Sequence, residues 1–344
     1  MSLWDDNPQK QEGAGNAQAR PDGASESRTL ESRGAAADSA LSGESGSPLT
    51  GDPISYVGLH PGTAHPPPCN LPEDLRISWS WPHLLVFLVY ALISQIVIAV
   101  GVVGYYSAGR HLTPLQIRQM FESDPDPRLI VGTNVLWFAL IFLFLYVTLS
   151  VLRDLPFWRS LGWKKINASA LAGKGKPWMY FMSGSGLSLF VIIAGSRVKN
   201  TEHVPIQEMF KSRSGAMLLM SMAVLIAPLV EETVFRGYLY PVFVRLVSAA
   251  AQFFGVAASR AIRAGVITSV LTTGVLFGLM HAPQLGWTWG LVTLLILVGV
   301  IFTFARAWTG TVVASFFLHL GYNSMLALLM IVGTKGFTHM APHP

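Results

Sequence analysis

The chain opens with about 80 residues that contain no apolar run, and then turns into a succession of long hydrophobic stretches. These cover 84–106, 129–152, 179–198, 216–246, 266–280, 287–305 and 312–332. Most reach the roughly 20 residues needed to cross about 30 Å of hydrocarbon. In lipid every backbone polar group must find its partner within the protein, so uninterrupted runs of this length predict helices rather than barrel strands. The pattern predicts an all-α polytopic transmembrane helical bundle. Segment 247–262, "SAAAQFFGVAASRAIR", is ambiguous: it extends the fourth run, lies along the interface, or helps to form an eighth span. Seven or eight spans are therefore expected. Within the fifth run, "GVLFG" places Gly274 and Gly278 four residues apart, a spacing that lets a neighbouring helix approach closely.

The polar N-terminal segment is rich in Gly, Ala, Ser, Asp and Pro and ends in "HPGTAHPPPCNLPED". Such a composition buries too little apolar area to offset its ordering entropy, so 1–80 is expected to be a disordered tail. It lacks a basic stretch followed by an apolar one, which argues against a cleavable signal peptide. Composition adds little to the membrane reading: 51% of residues are hydrophobic, 12% are charged, and mean hydropathy is +0.45. The net charge of +5 is spread over loops, without the basic face a nucleic-acid partner requires. The single cysteine, Cys69, lies in the tail, which excludes an intrachain disulfide and argues against thiol or cysteine-metal chemistry. With seven spans, the tail side collects 11 loop Lys and Arg residues and the opposite side 8. This excess comes chiefly from "RDLPFWRSLGWKKINASALAGKGK" and is expected to hold the tail in the cytoplasm, the protein lying in the cell (inner) membrane.

Charge inside the fourth run changes the picture. "LVEETVFRGY" puts Glu231, Glu232 and Arg236 where burial costs several kcal/mol by roughly any scale. Glu232 and Arg236 are four residues apart and share a helix face, so they are expected to pair. Glu231 points about 100° away, towards something else. Pro228 removes a backbone donor one turn earlier and is expected to bend or open the helix beside the glutamates. Downstream, "FGLMH" sets Phe277 and His281 one turn apart, and "HLGYN" does the same for His319 and Asn323. Singly, each has a bland reading: an interfacial histidine, interhelical hydrogen-bonding glue, or a structural ion pair. Together they predict one buried polar site built from three helices.

Glutamate and histidine together deprotonate a water, and His and Asn donors stabilise a developing oxyanion by about 3 kcal/mol per donor. That ensemble suits hydrolysis of an amide. Glu231, His281 and His319 holding zinc, with water as fourth ligand, would suit it equally. No HExxH motif occurs, and asparagine is an uncommon zinc ligand. The residues leave the two mechanisms open.

In order and spacing, "EETVFR", "FGLMH" and "HLGYN" resemble the EExxxR, FxxxH and HxxxN motifs of the CAAX protease and bacteriocin-processing family of intramembrane proteases, which includes the eukaryotic CAAX prenyl endopeptidase. The resemblance implies a membrane protease in which Glu231 and His281 activate water and His319 with Asn323 forms the oxyanion site. Glu232, Arg236 and Phe277 would support them. It further implies a membrane-associated peptide or protein substrate, a prenylated one in one branch of the family. The expected organisation is then a tail (1–80), accessory transmembrane helices (81–214), an intramembrane protease core (215–330) and a short tail (331–344). The long tail and 247–262 stand outside the family pattern. Two rival readings are a noncatalytic scaffold or bacteriocin self-immunity protein, and a proton-coupled carrier. The clustering of polar residues in the last third, without an inverted repeat, weighs against the carrier.

Overall fold

The computed structural model describes residues 71–123, 126–166, 175–199 and 212–337. All of them fall within one compact unit, Ala64–Pro344. The expected disorder of 1–70, and the last residues of the C-terminal tail, lie outside the described residues.

The first helix, α1 (Trp81–Arg110), has proline in its opening turn, where the missing N–H is not needed, and stops at His111 with φ 54°. A short α2 (Pro114–Ser123) follows. Next comes α3 (Pro127–Val151), capped by the Asp126 side chain, which accepts from the Arg128 N–H. After the single turn α4 (Phe157–Ser160) come α5 (Pro177–Gly195), the long α6 (Arg213–Phe253), α7 (Ala258–Met280), α8 (Trp289–Thr309) and α9 (Val312–Gly333). No strand occurs among the described residues, and seven of these helices are long and apolar enough to cross a membrane. The chain is an all-α polytopic bundle. The ambiguous segment 247–262 resolves into the end of α6, a tight turn at Gly255 with φ 81°, and the first turns of α7. It adds no eighth span.

Glycines set the closest approaches. A Cβ on Gly184 would strike the Leu318 carbonyl, and one on Gly321 would strike that of Phe181, so α5 and α9 touch backbone to backbone. The Ser185 hydroxyl bridges the same pair, donating to the Gly321 carbonyl at 3.2 Å. The expected glycine contact in α7 is present: Gly274 and Gly278 lie against Val300 and Ile296 of α8, while Gly299 of α8 fits against Gly274. Large residues on these faces would part the helices that carry the polar groups. By contrast α1 packs with few side chains and turns Leu85, Leu88, Leu92, Ile96 and Val100 outward, as expected of a helix whose solvent is lipid.

Residues 71–80 correct the expected tail boundary. They form an ordered strap ahead of α1, with Leu71, Leu75, Ile77 and Trp79 buried and a 3-10 turn at Glu73–Leu75. Basic side chains from four places hold it. Arg306 pairs with Asp74 at 2.8 Å, Arg153 donates to the Ser78 carbonyl, Arg245 donates to those of Ile77 and Trp79, and Lys164 meets Glu73 at 3.1 Å. The Lys164 ammonium holds the exposed Glu73 carboxyl below its usual range. Proline-rich composition upstream masked four buried apolar residues in this short stretch.

Candidate active site

The site is built around α6, which is not a uniform α-helix. Met222–Ile226 and Thr233–Leu239 are wider π turns, and each ends two residues before a proline, Pro228 or Pro241. A proline ring collides with the carbonyl four residues back, and a wider turn moves that carbonyl away. The local sequence thus opens the helix on either side of the two glutamates. Continued through Pro228, the π pattern would have bonded its missing N–H to the Ala223 carbonyl. Asn323 of α9 supplies the substitute, its Nδ2 donating to that oxygen at 2.7 Å.

Glu232 and Arg236 form the expected pair, Nη1 to Oε1 at 2.9 Å, and both side chains are fully buried. The guanidinium is satisfied further by α8, through Nε to the Thr303 hydroxyl at 3.2 Å and Nη2 to the Gly299 carbonyl at 2.9 Å. Phe277 lies over it, 4.5 Å from ring centre to Cζ, and Phe302 and Phe235 complete an aromatic enclosure. Burying this charge is tolerable because it is paired, hydrogen-bonded and faced by π clouds. The same Glu232 oxygen lies 2.9 Å from His319 Nδ1. Paired with arginine, the carboxylate only accepts, so Nδ1 carries the proton.

Glu231 faces the other way. Its Oε1 lies 3.9 Å from His281 Nε2 and its Oε2 3.9 Å from His319 Nε2. His281 Nδ1 is 2.7 Å from the Phe277 carbonyl, which only accepts, so here too the proton sits on Nδ1. In their neutral forms both imidazoles therefore present Nε2 lone pairs to a carboxylate that also only accepts. Glu231 Oε2 is buried without a hydrogen-bond partner. Three convergent acceptors at such distances need a proton donor among them, and a bridging water provides one.

Glu231, His281 and His319 thus come together, and Glu232, Arg236 and Phe277 pack behind them. Asn323 stands on the His319 face of α9 with one amide N–H committed to Ala223 and no second acceptor among the described residues. Thr303, Gly299 and the Ala223 carbonyl were not anticipated. Thr303 and Gly299 do show a signal in retrospect, being a polar and a small residue four apart in the otherwise apolar stretch 294–305. Zinc was the other expectation for these residues. The donor types match it, but among the described residues no group of three His, Cys, Asp or Glu side chains is arranged to hold a metal ion.

Residues 213–325 match the family model described as Rce1-like, type II CAAX prenyl endopeptidase. Over that span, about a third of the chain, the sequence is similar to the CAAX protease family. The matched span starts with α6, ends within α9, and holds every residue of the site, while the strap and α1–α5 lie outside it. No curated protein and no solved structure matches the chain significantly. The seven apolar helices and this likeness together mark an integral, multi-pass membrane protein.

Proposed function

We propose that the protein is an intramembrane endopeptidase that hydrolyses a peptide bond in a membrane-associated protein or peptide by means of water activated by Glu231 and His281. The observation that carries this reading is the convergence of Glu231 with the two Nε2 atoms at 3.9 Å each, in an otherwise apolar bundle. A water between Glu231 and His281 bonds to both, and gives a proton to Glu231 as its oxygen attacks the carbonyl carbon. Negative charge develops on the carbonyl oxygen. The second amide N–H of Asn323 donates to that oxygen, and His319, its Nδ1–H held by Glu232, joins it as a donor when its Nε2 also carries a proton. Glu231 then passes its proton to the leaving nitrogen. Catalysis by such a base contributes about 10²–10⁴-fold, so Glu231→Gln should abolish turnover without unfolding the protein.

The helical core, from 215 to 330, is the protease unit in this reading, and the helices from 81 to 214 are accessory. The end bearing the strap faces the cytoplasm of a cell (inner) membrane, on the strength of its excess of loop Lys and Arg.

The test uses full-length protein in liposomes with tail-anchored peptides whose C-terminal cysteine is prenylated or bare, with and without a zinc chelator. Cleavage by wild type alone, persisting under chelation, supports water activation by Glu231 and His281. Loss of cleavage under chelation contradicts it in favour of a metal. Preference for the prenylated peptide would extend the substrate class to lipidated proteins. A noncatalytic scaffold or self-immunity factor would cleave none of them.

A further inference from the structure

We infer that Thr303, on a helix that carries none of the three motifs, is a positioning residue for the imidazole of His319. The inference rests on the reading of His319 as part of a proteolytic site, and its placement argument stands on five hydrogen bonds. The Thr303 hydroxyl donates to the Gly299 carbonyl at 2.8 Å and accepts from Arg236 Nε at 3.2 Å. That same carbonyl accepts from Arg236 Nη2 at 2.9 Å. Arg236 Nη1 then meets Glu232 Oε1, which also takes His319 Nδ1, both at 2.9 Å. The Thr303 hydroxyl and the Gly299 carbonyl together fix the rotation of the guanidinium, the guanidinium fixes one carboxylate oxygen, and that oxygen holds the Nδ1 proton and tilt of the imidazole.

At its α8 end the chain has two bonds from Arg236, Nε to the Thr303 hydroxyl and Nη2 to the Gly299 carbonyl. Arg236 Nε has Thr303 as its acceptor, and no water from bulk reaches a guanidinium that is fully buried. Removing the hydroxyl leaves Nε–H unsatisfied in an apolar enclosure, which favours a rotated guanidinium that takes Glu232 with it. His319 then loses the acceptor that holds its proton on Nδ1, and its Nε2 no longer faces Glu231 in one defined state. Gly299 has a second duty at this place: a Cβ there would lie 2.8 Å from the Gly274 carbonyl, so its own carbonyl is held where α7 and α8 approach closely.

The test compares wild type with Thr303→Val, which keeps the shape and removes the hydroxyl, and Thr303→Ser, which keeps the hydroxyl. Full-length protein labelled with ¹⁵N-histidine is observed in lipid by NMR, with His319→Gln to assign the resonance. Wild type and Thr303→Ser are expected to show one Nδ1–H signal for His319, and Thr303→Val several. With a cleaved peptide, kcat of Thr303→Val is expected to fall roughly ten-fold at unchanged KM, the effect of one buried hydrogen bond, and Thr303→Ser to recover most of it. An unchanged His319 resonance in Thr303→Val overturns the inference, as does an equal loss in both variants, which would mark a packing role. If wild type cleaves nothing, the protease reading falls while the Nδ1–H comparison still decides the role of Thr303.

Discussion

Arg236 and Glu232 show how two charges come to lie inside a membrane helix without unfolding it. Each is fully buried, and each is worth its position only because the other is present. Arg236→Met should therefore leave an uncompensated carboxylate and cost about 3–5 kcal/mol, whereas the double variant Glu232→Gln with Arg236→Met should recover much of that loss. Thermal midpoints of the three proteins in the same detergent check this, and additive losses would contradict it. The pairing could be read from the sequence because four-residue spacing on one helix fixes a shared face. The partners of Arg236 on α8 could not, since nothing in a linear pattern says which neighbouring helix will offer a hydroxyl. Asn323 marks a similar limit. Its residue type announced a donor, but one of its two N–H groups goes to a carbonyl that a proline had left without a partner.

At the scale of elements, prolines and glycines do most of the shaping. Pro228→Ala returns an N–H that competes with Asn323 for the Ala223 carbonyl. We expect Pro228→Ala and Asn323→Ala to be non-additive in stability by about 0.5–3 kcal/mol, and independent effects in a double-mutant cycle would contradict the link. Gly321→Val should part α5 from α9, because its Cβ would occupy the place of the Phe181 carbonyl. The expected outcome is loss of folded protein on size-exclusion chromatography, with Gly333→Val, whose Cβ meets nothing, as the harmless comparison. The seven spans were legible in the hydropathy because lipid demands long apolar helices. The π turns were not, since a wider turn is a response to proline within a packed helix rather than a periodicity of its own.

At the scale of the whole molecule, the strap ties the ends of several spans together on one side of the bundle. Asp74→Ala takes the carboxylate from the buried Arg306 guanidinium, leaving it the backbone carbonyl of residue 74, and should cost about 1.5–3 kcal/mol, while Glu73→Gln at the exposed partner of Lys164 should be nearly silent. The Glu73 carboxyl is held low, so its small contribution is present above the usual carboxylate range and fades as pH falls through the lowered value. Thermal midpoints between pH 7 and pH 3 for both variants test these two statements. The strap escaped the sequence reading because four buried side chains in ten residues are too few to show above a polar, proline-rich background. The site itself was legible because its polar residues interrupt apolar runs, and its arrangement was not, because distance between helices is set by the glycines that separate them.

The central claim is that Glu231 activates water to cut a peptide bond. Its most direct test compares new protein termini in membranes holding wild type or Glu231→Gln at equal abundance. The account predicts a set of termini present with wild type and missing with Glu231→Gln, clustered near or within membrane segments of their parent proteins. Indistinguishable termini across several growth conditions would contradict it and leave the site as a structural ion-pair network.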